Sequence, residues 1–169
     1  MGCKAFHLAS FEENKYKASV RKVLNEISPT IPVILCVGEI DCRLDEGILV
    51  AFKKGRISDL ENSIELLVNN YVSFVQSLAR PRGLSISFQG VPIPSIIQDS
   101  EKREDALLLM KIVKSFNYAL KKRCEAEDVF FIDVGSLTMG ENGFNNKKWN
   151  IDSHHLIPSY LQEAINRSY

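Results

Sequence analysis

Apolar positions recur along the chain in two rhythms. Tyr16, Val20, Val23, Leu24 and Ile27 fall at three- and four-residue spacing, which predicts a helix. Ser10-Phe11-Glu12-Glu13 ahead of it has capping-box spacing, and Ser28-Pro29 ends it. Leu60, Ile64, Leu67, Val68, Tyr71, Val75 and Leu78 predict a long helix behind a second box, Ser58–Glu61. Ala106, Leu109, Met110, Val113, Phe116 and Leu120 give a third stripe. Leu161, Ala164 and Ile165 give a last one, with Pro158 in its first turn. The second rhythm is the short unbroken apolar run: Lys4–Leu8, Ile31–Val37, Leu84–Phe88 and Val129–Val134 read as strands. Ile31–Val37 is rich in β-branched residues and reads as buried on both faces. Residues 135–150, rich in Gly and Asn, read as a loop.

Strands and helices alternate without an internal repeat or linker. This predicts one domain over residues 1–169, an α/β three-layer sandwich with a mostly parallel sheet. In such sheets ligands bind beyond the carboxyl ends of the strands. The places to look are Ala9–Phe11, Gly38–Arg43, Gln89–Pro94 and the loop after Val134.

Composition narrows the function classes. A chain of 169 residues should bury about 70% of its unfolded surface. With 45% hydrophobic and 25% charged residues it is globular. Twenty-one basic residues balance 21 acidic ones, which argues against a general nucleic-acid footprint. No apolar run is long enough for a membrane span, and no secretory leader is recognisable. Phe6 stands where a myristoylation signal needs Ser or Thr. Cys3, Cys36, Cys42 and Cys124 form no Cys-x-x-Cys pair, so neither zinc nor a disulfide framework is expected. Cys36 reads as a small core residue, and a reducing, cytoplasmic setting is the default expectation.

Two constellations carry candidate chemistry. Gly38-Glu39-Ile40-Asp41-Cys42-Arg43 places two carboxylates and a guanidinium at a strand's carboxyl end. They could hold a substrate or form an ion-pair lock. Asp152-Ser153-His154-His155 holds two of the three histidines. An Asp three residues before a His can orient the imidazole and leave its other nitrogen as a general base. The bland alternative is a surface loop before the last helix, with His154 incidental. Adjacent histidines without a further His or paired Cys make a poor metal set, so no metal or other cofactor is expected. Of the serines near strand ends, Ser10, Ser87 and Ser95, Ser10 opens a helix, but a cap explains it without catalysis. There is no Gly-x-Ser-x-Gly elbow, Walker loop or Gly-x-Gly-x-x-Gly.

Together these pieces resemble the SGNH (GDSL-like) hydrolase superfamily, and most closely its bacterial branch with a Gly-Glu-Ile-Asp-Cys-Arg motif, often found with glycan-biosynthesis proteins. The matching features are Gly38–Arg43, Tyr71, Gly90-Val91-Pro92, Phe116-Asn117, Phe131-Ile132-Asp133 and Asp152-x-x-His155-Leu156. The resemblance implies a flavodoxin-like sandwich of five parallel strands. It also implies ester cleavage or acyl transfer on lipids or acylated saccharides by a Ser-His-Asp arrangement. Carried over, His155 is the base and Asp152 its orienting acid. Gly38, Glu39, Asp41 and Arg43 line the substrate pocket, and Gly90 lies on its wall.

Two departures stand out. Ile40 replaces the family's oxyanion-hole Asn, leaving Arg43 as a substitute donor, and no Gly-Asp-Ser block exists. From Ser10 to Gly38 there is room for one helix only, so Lys4–Leu8 takes the place of the family's second strand and the first, central strand is missing. Its absence would leave unpaired backbone groups on two neighbours. The sheet then closes up, or another segment or a second copy of the chain fills the gap, or the chain is an incomplete copy. Three readings follow. The first is a hydrolase or acyltransferase acting on a small ester or acylated glycan. The second is a non-catalytic carbohydrate-binding or accessory module without the nucleophile. The third, remote, is a nucleotide-binding domain, which lacks its phosphate loop.

Overall fold

The computed structural model describes residues 2–95, 103–152 and 155–168. Its elements run α1 (Ala5–Ala9), α2 (Lys15–Glu26), β1 (Val33–Leu35), α3 (Ile48–Lys53), α4 (Leu60–Ala79), β2 (Ile86–Gln89), α5 (Arg103–Ala126), β3 (Phe130–Ile132), α6 (Val134–Thr138) and α7 (Tyr160–Ser168). The three strands pair in parallel in the order β1-β2-β3, with Val33 beside Ile86 and Phe88 beside Phe131.

Strand alternation divides the interior in two. Val33, Leu35, Ile86, Phe88 and Phe131 face the larger cluster, with Leu8 of α1, Tyr71 and Val75 of α4, and Phe116 and Leu120 of α5. Ile34, Phe130 and Ile132 face the smaller one, with Val134 and Leu137 of α6 and Leu161, Ala164 and Ile165 of α7. The result is a sheet covered by helices on both faces, the three-layer α/β architecture that the alternation predicted. The predicted stripe of α5 is buried throughout, from Ala106 to Leu120. In α4, Tyr71 meets the Phe88 ring edge-on, centroids 5.4 Å apart. Burying each such large side chain contributes roughly 1.5–3 kcal/mol.

Several expectations are corrected. Lys4–Leu8 is not a strand: Ala5–Ala9 is a helix, because the Asp41 carboxylate accepts from the Ala5 and Phe6 amides at 2.7 and 3.2 Å. The described sheet therefore has three strands rather than the four that the apolar runs predicted, and β1 lies at its edge. Only Val33–Leu35 of the run Ile31–Val37 pairs, and all three residues are half-buried rather than buried on both faces. Cys36, beyond the strand end, is exposed and not a core residue. Ser10 does not open α2. Asn14 does, accepting from the Tyr16 and Lys17 amides, while the Ser10 hydroxyl accepts from the Glu12 amide. Val23 of that helix faces solvent. Asp59 rather than Ser58 caps α4. The loop expected over 135–150 begins with helical residues, since the Asp133 carboxylate accepts from Ser136 and caps α6. Among the described residues no helix is long and apolar enough to cross a membrane.

Candidate active site

The Gly38 turn begins three residues after the end of β1. Gly38 has φ +125°, and a Cβ there would stand 2.7 Å from Phe116 Cζ, so both backbone and space require glycine. The turn then parts its charged residues. Asp41 points inward, 1% exposed, onto the N-terminus of α1. Burial is the main force on its carboxyl and pushes its pKa up to about 6, against the α1 amides and Lys4, which favour the charged form. Arg43 points outward and grips Glu39 with two bonds, Nε to Oε1 at 2.9 Å and Nη2 to Oε2 at 2.7 Å. Its Nη1 reaches Glu46 at 3.3 Å, and Lys4 meets the same carboxylate at 2.7 Å. Of the two readings for this motif, the geometry is that of an ion-pair lock between the turn, the following loop and α1.

Asp152 and His155 sit on a loop whose base is clamped. Asn150 and Leu156 form an antiparallel bridge, Ile151 N donates to His155 O at 2.8 Å, and Ile157 N donates to Trp149 O at 2.8 Å. Within it Asp152 holds His155 twice. Oδ1 accepts from the His155 amide at 2.7 Å, and Oδ2 lies 2.7 Å from the ring Nδ1. That bond fixes the ring and leaves Nε2 without a partner among the described residues. Both side chains are exposed, His155 by 74%. Ser153 and His154 lie outside the described residues. Among the described residues no serine hydroxyl bonds His155, and no group of three His, Cys, Asp or Glu could hold a metal ion.

The two constellations meet through a residue the sequence reading passed over. Glu39 and Cys42 of the turn, Val91–Pro94 and Asn150 line one narrow cleft at the carboxyl ends of β1 and β2. Asn150 Nδ2 donates to the Asp152 carbonyl at 3.2 Å, whereas its Oδ1 is buried without a partner among the described residues. An amide oxygen left so is costly unless a donor reaches it. The only signal in the sequence was its place two residues before Asp152. Gly90 sits behind this cleft rather than on it. A Cβ there would stand 2.9 Å from the Phe131 ring, and the cleft wall begins at Val91. That wall is set from below: Asn117 clasps Val91, and Thr138 Oγ1 accepts from Ile93 N at 2.8 Å.

No family model and no curated protein sequence matches the chain. Solved structures do match. A GDSL-like lipase from Bacteroides thetaiotaomicron superposes with a TM-score of 0.62 at 17% identity, over 90% of this chain and 68% of that one. A candidate acylhydrolase from Bacteroides fragilis gives 0.59 at 18% identity, over 90% and 69%. A Streptococcus pneumoniae chain described as a candidate platelet activating factor gives 0.53 at 14% identity, over 92% of each chain. The chain has the α/β/α fold of GDSL-like lipases and acylhydrolases.

Proposed function

We propose that this chain is an SGNH-type ester hydrolase or acyltransferase domain acting on an acylated saccharide or similar small ester. The observation that carries the reading is the Asp152–His155 pair, joined at 2.7 Å on a clamped loop in a GDSL-like fold. In such a reaction His155 Nε2 would take the proton of a serine hydroxyl, which no described residue places beside it, as that hydroxyl attacks the ester carbonyl. Asp152 stabilises the imidazolium, which then protonates the departing alcohol. Water, or an acceptor hydroxyl in a transferase, releases the acyl group by the reverse relay.

A second reading, a non-catalytic saccharide-binding module, is favoured by a different observation. Arg43, the substitute oxyanion donor, has its guanidinium held by Glu39 and Glu46. Labelling with a fluorophosphonate serine probe, read by intact mass and peptide mapping, separates the two. A single adduct that disappears in His155→Ala supports the hydrolase and names its nucleophile. No adduct on the folded chain leaves the binding module.

A further inference from the structure

A second cavity lies on the other side of Ile93, between α5, α6 and the end of β3, with a volume of about 190 Å³. Its floor is apolar: Ile93, Phe131 and Met139. Its rim is the exposed face of α5, where Lys114, Tyr118 and Lys121 fall at i, i+4 and i+7 and share one side of the helix. Tyr118 is 71% exposed, unusual for so large a ring on a helix whose other large side chains are mostly buried. Neither lysine has a hydrogen bond or ion pair among the described residues, although Lys122 and Arg123 on the same helix are paired with Glu65 and Glu127.

The other polar groups of the wall are already engaged. Asn117 is bound at both ends to Val91. Asp133 accepts from Ser136 N and Ser136 Oγ at 2.9 and 2.7 Å, so it serves as the cap of α6. Two free ammonium groups against one engaged carboxylate leave the cavity net positive. Drug-sized sites run to about 300–1,000 Å³, so this one takes a ligand of about one ring. An apolar floor with methionine, a phenol ring and unpaired cations on the rim suits one chemistry: an apolar body with one negative end.

We propose that this cavity binds a small amphiphilic carboxylate, an aryl or short-chain acyl acid. Lys114 and Lys121 hold its carboxylate, and Tyr118, Phe131 and Met139 hold its body. The site is separate from the Glu39–Asn150 cleft, and the proposal stands or falls independently of catalysis.

The test is an amide-resolved NMR titration of the intact chain with benzoate, and with benzyl alcohol as its neutral match. Benzoate should give saturable shifts at Gly135, Ser136 and Lys121, with an affinity at least tenfold above that of benzyl alcohol. Lys114→Gln with Lys121→Gln should bring benzoate down to the level of the alcohol, and Tyr118→Ala should weaken both. The spectrum of each variant reports in the same experiment that the fold is kept. Absence of saturable shifts at these amides would overturn the site. Equal affinity for the two probes, or discrimination surviving in the double variant, would overturn the role given to the lysines.

Discussion

Asn117 of α5 holds the backbone of Val91 from both sides: its Nδ2 donates to the Val91 carbonyl and its Oδ1 accepts from the Val91 amide, each at 2.7 Å. The helix side chain thereby replaces a strand partner at the point where β2 has ended and the chain turns along the cleft. Gly135 makes room for it, since a Cβ there would stand 2.5 Å from Asn117 Nδ2. Asn117→Ala leaves two buried backbone groups unpaired and should lower unfolding stability by about 2–4 kcal/mol. Gly135→Ala should be destabilising by the same route, through displacement of the Asn117 amide. The two effects should be clearly less than additive in a double-mutant cycle by denaturant unfolding. Strict additivity would mean that the clasp is not what Gly135 protects.

The raised pKa of Asp41 predicts the sign of a pH dependence in stability. Its folded pKa, about 6, lies above the ordinary aspartate range, so the folded state binds the proton more tightly than the unfolded chain. Its contribution therefore makes the fold more stable as pH falls through about 6, and is complete once the pH lies below the unfolded value near 4. At neutral pH the buried charge costs about 3 kcal/mol relative to that limit. Urea unfolding at pH 7 and pH 5 should show a gain on acidification in the wild type that is smaller in Asp41→Asn by about 1–2 kcal/mol. Parallel pH profiles of the two proteins would remove Asp41 as the cause.

Arg43 should matter for geometry more than for energy. Its pairs with Glu39 and Glu46 are about a quarter to a third exposed, so Arg43→Ala should cost only about 1 kcal/mol, and less at high salt. Lysine cannot reproduce the fork on Glu39, so Arg43→Lys should recover less than half of that loss. If thermal unfolding and ligand binding are both unmoved in Arg43→Ala, the ion-pair lock has no role in the turn.

The Asp152–His155 bond makes a tautomer prediction that needs no substrate. With Oδ2 at 2.7 Å, the neutral ring carries its proton on Nδ1 and presents a bare Nε2. Imidazole 15N shifts at high pH should show that tautomer in the wild type and a shift towards the Nε2–H form in Asp152→Ala. An unchanged tautomer would mean that the carboxylate does not orient the ring in solution.

Much of this molecule was legible in its sequence, and the reason is periodicity. The stripes of α4 and α5 are long enough for a 3.6-residue repeat to be unambiguous: every predicted residue of α5 is buried, and in α4 Ile64, Val68, Tyr71 and Val75 are buried while Leu60, Leu67 and Leu78 pack half-buried against the core. The strands β1, β2 and β3 were located by apolar runs, although the runs for β1 and β3 overshot at both ends and the run for β2 began two residues early and stopped one short. The Asp152-x-x-His155 spacing foretold the pair that the loop forms. Asn150 was not legible, because its role depends on a cleft wall supplied by Glu39 and Val91, far away in sequence.

The sequence by itself determined the alternation, the two main helices and the local Asp152–His155 contact, because each depends on residues within a few positions of one another. Tertiary structure decided the rest. Lys4–Leu8 is too short for its period to tell strand from helix, and Asp41, more than thirty residues away, settles it by accepting from the Ala5 and Phe6 amides. Ser10 and Asn14 both have the chemistry of a cap. Asn14 is the one used, and its Nδ2 also donates to the His7 carbonyl at 2.8 Å, a bond that exists only once α1 has formed. Whether the charges of Gly38–Arg43 reach a ligand or one another was likewise open in the sequence. Pairing Arg43 with Glu39, and burying Asp41 under α1, are choices made by distances that only the folded chain defines.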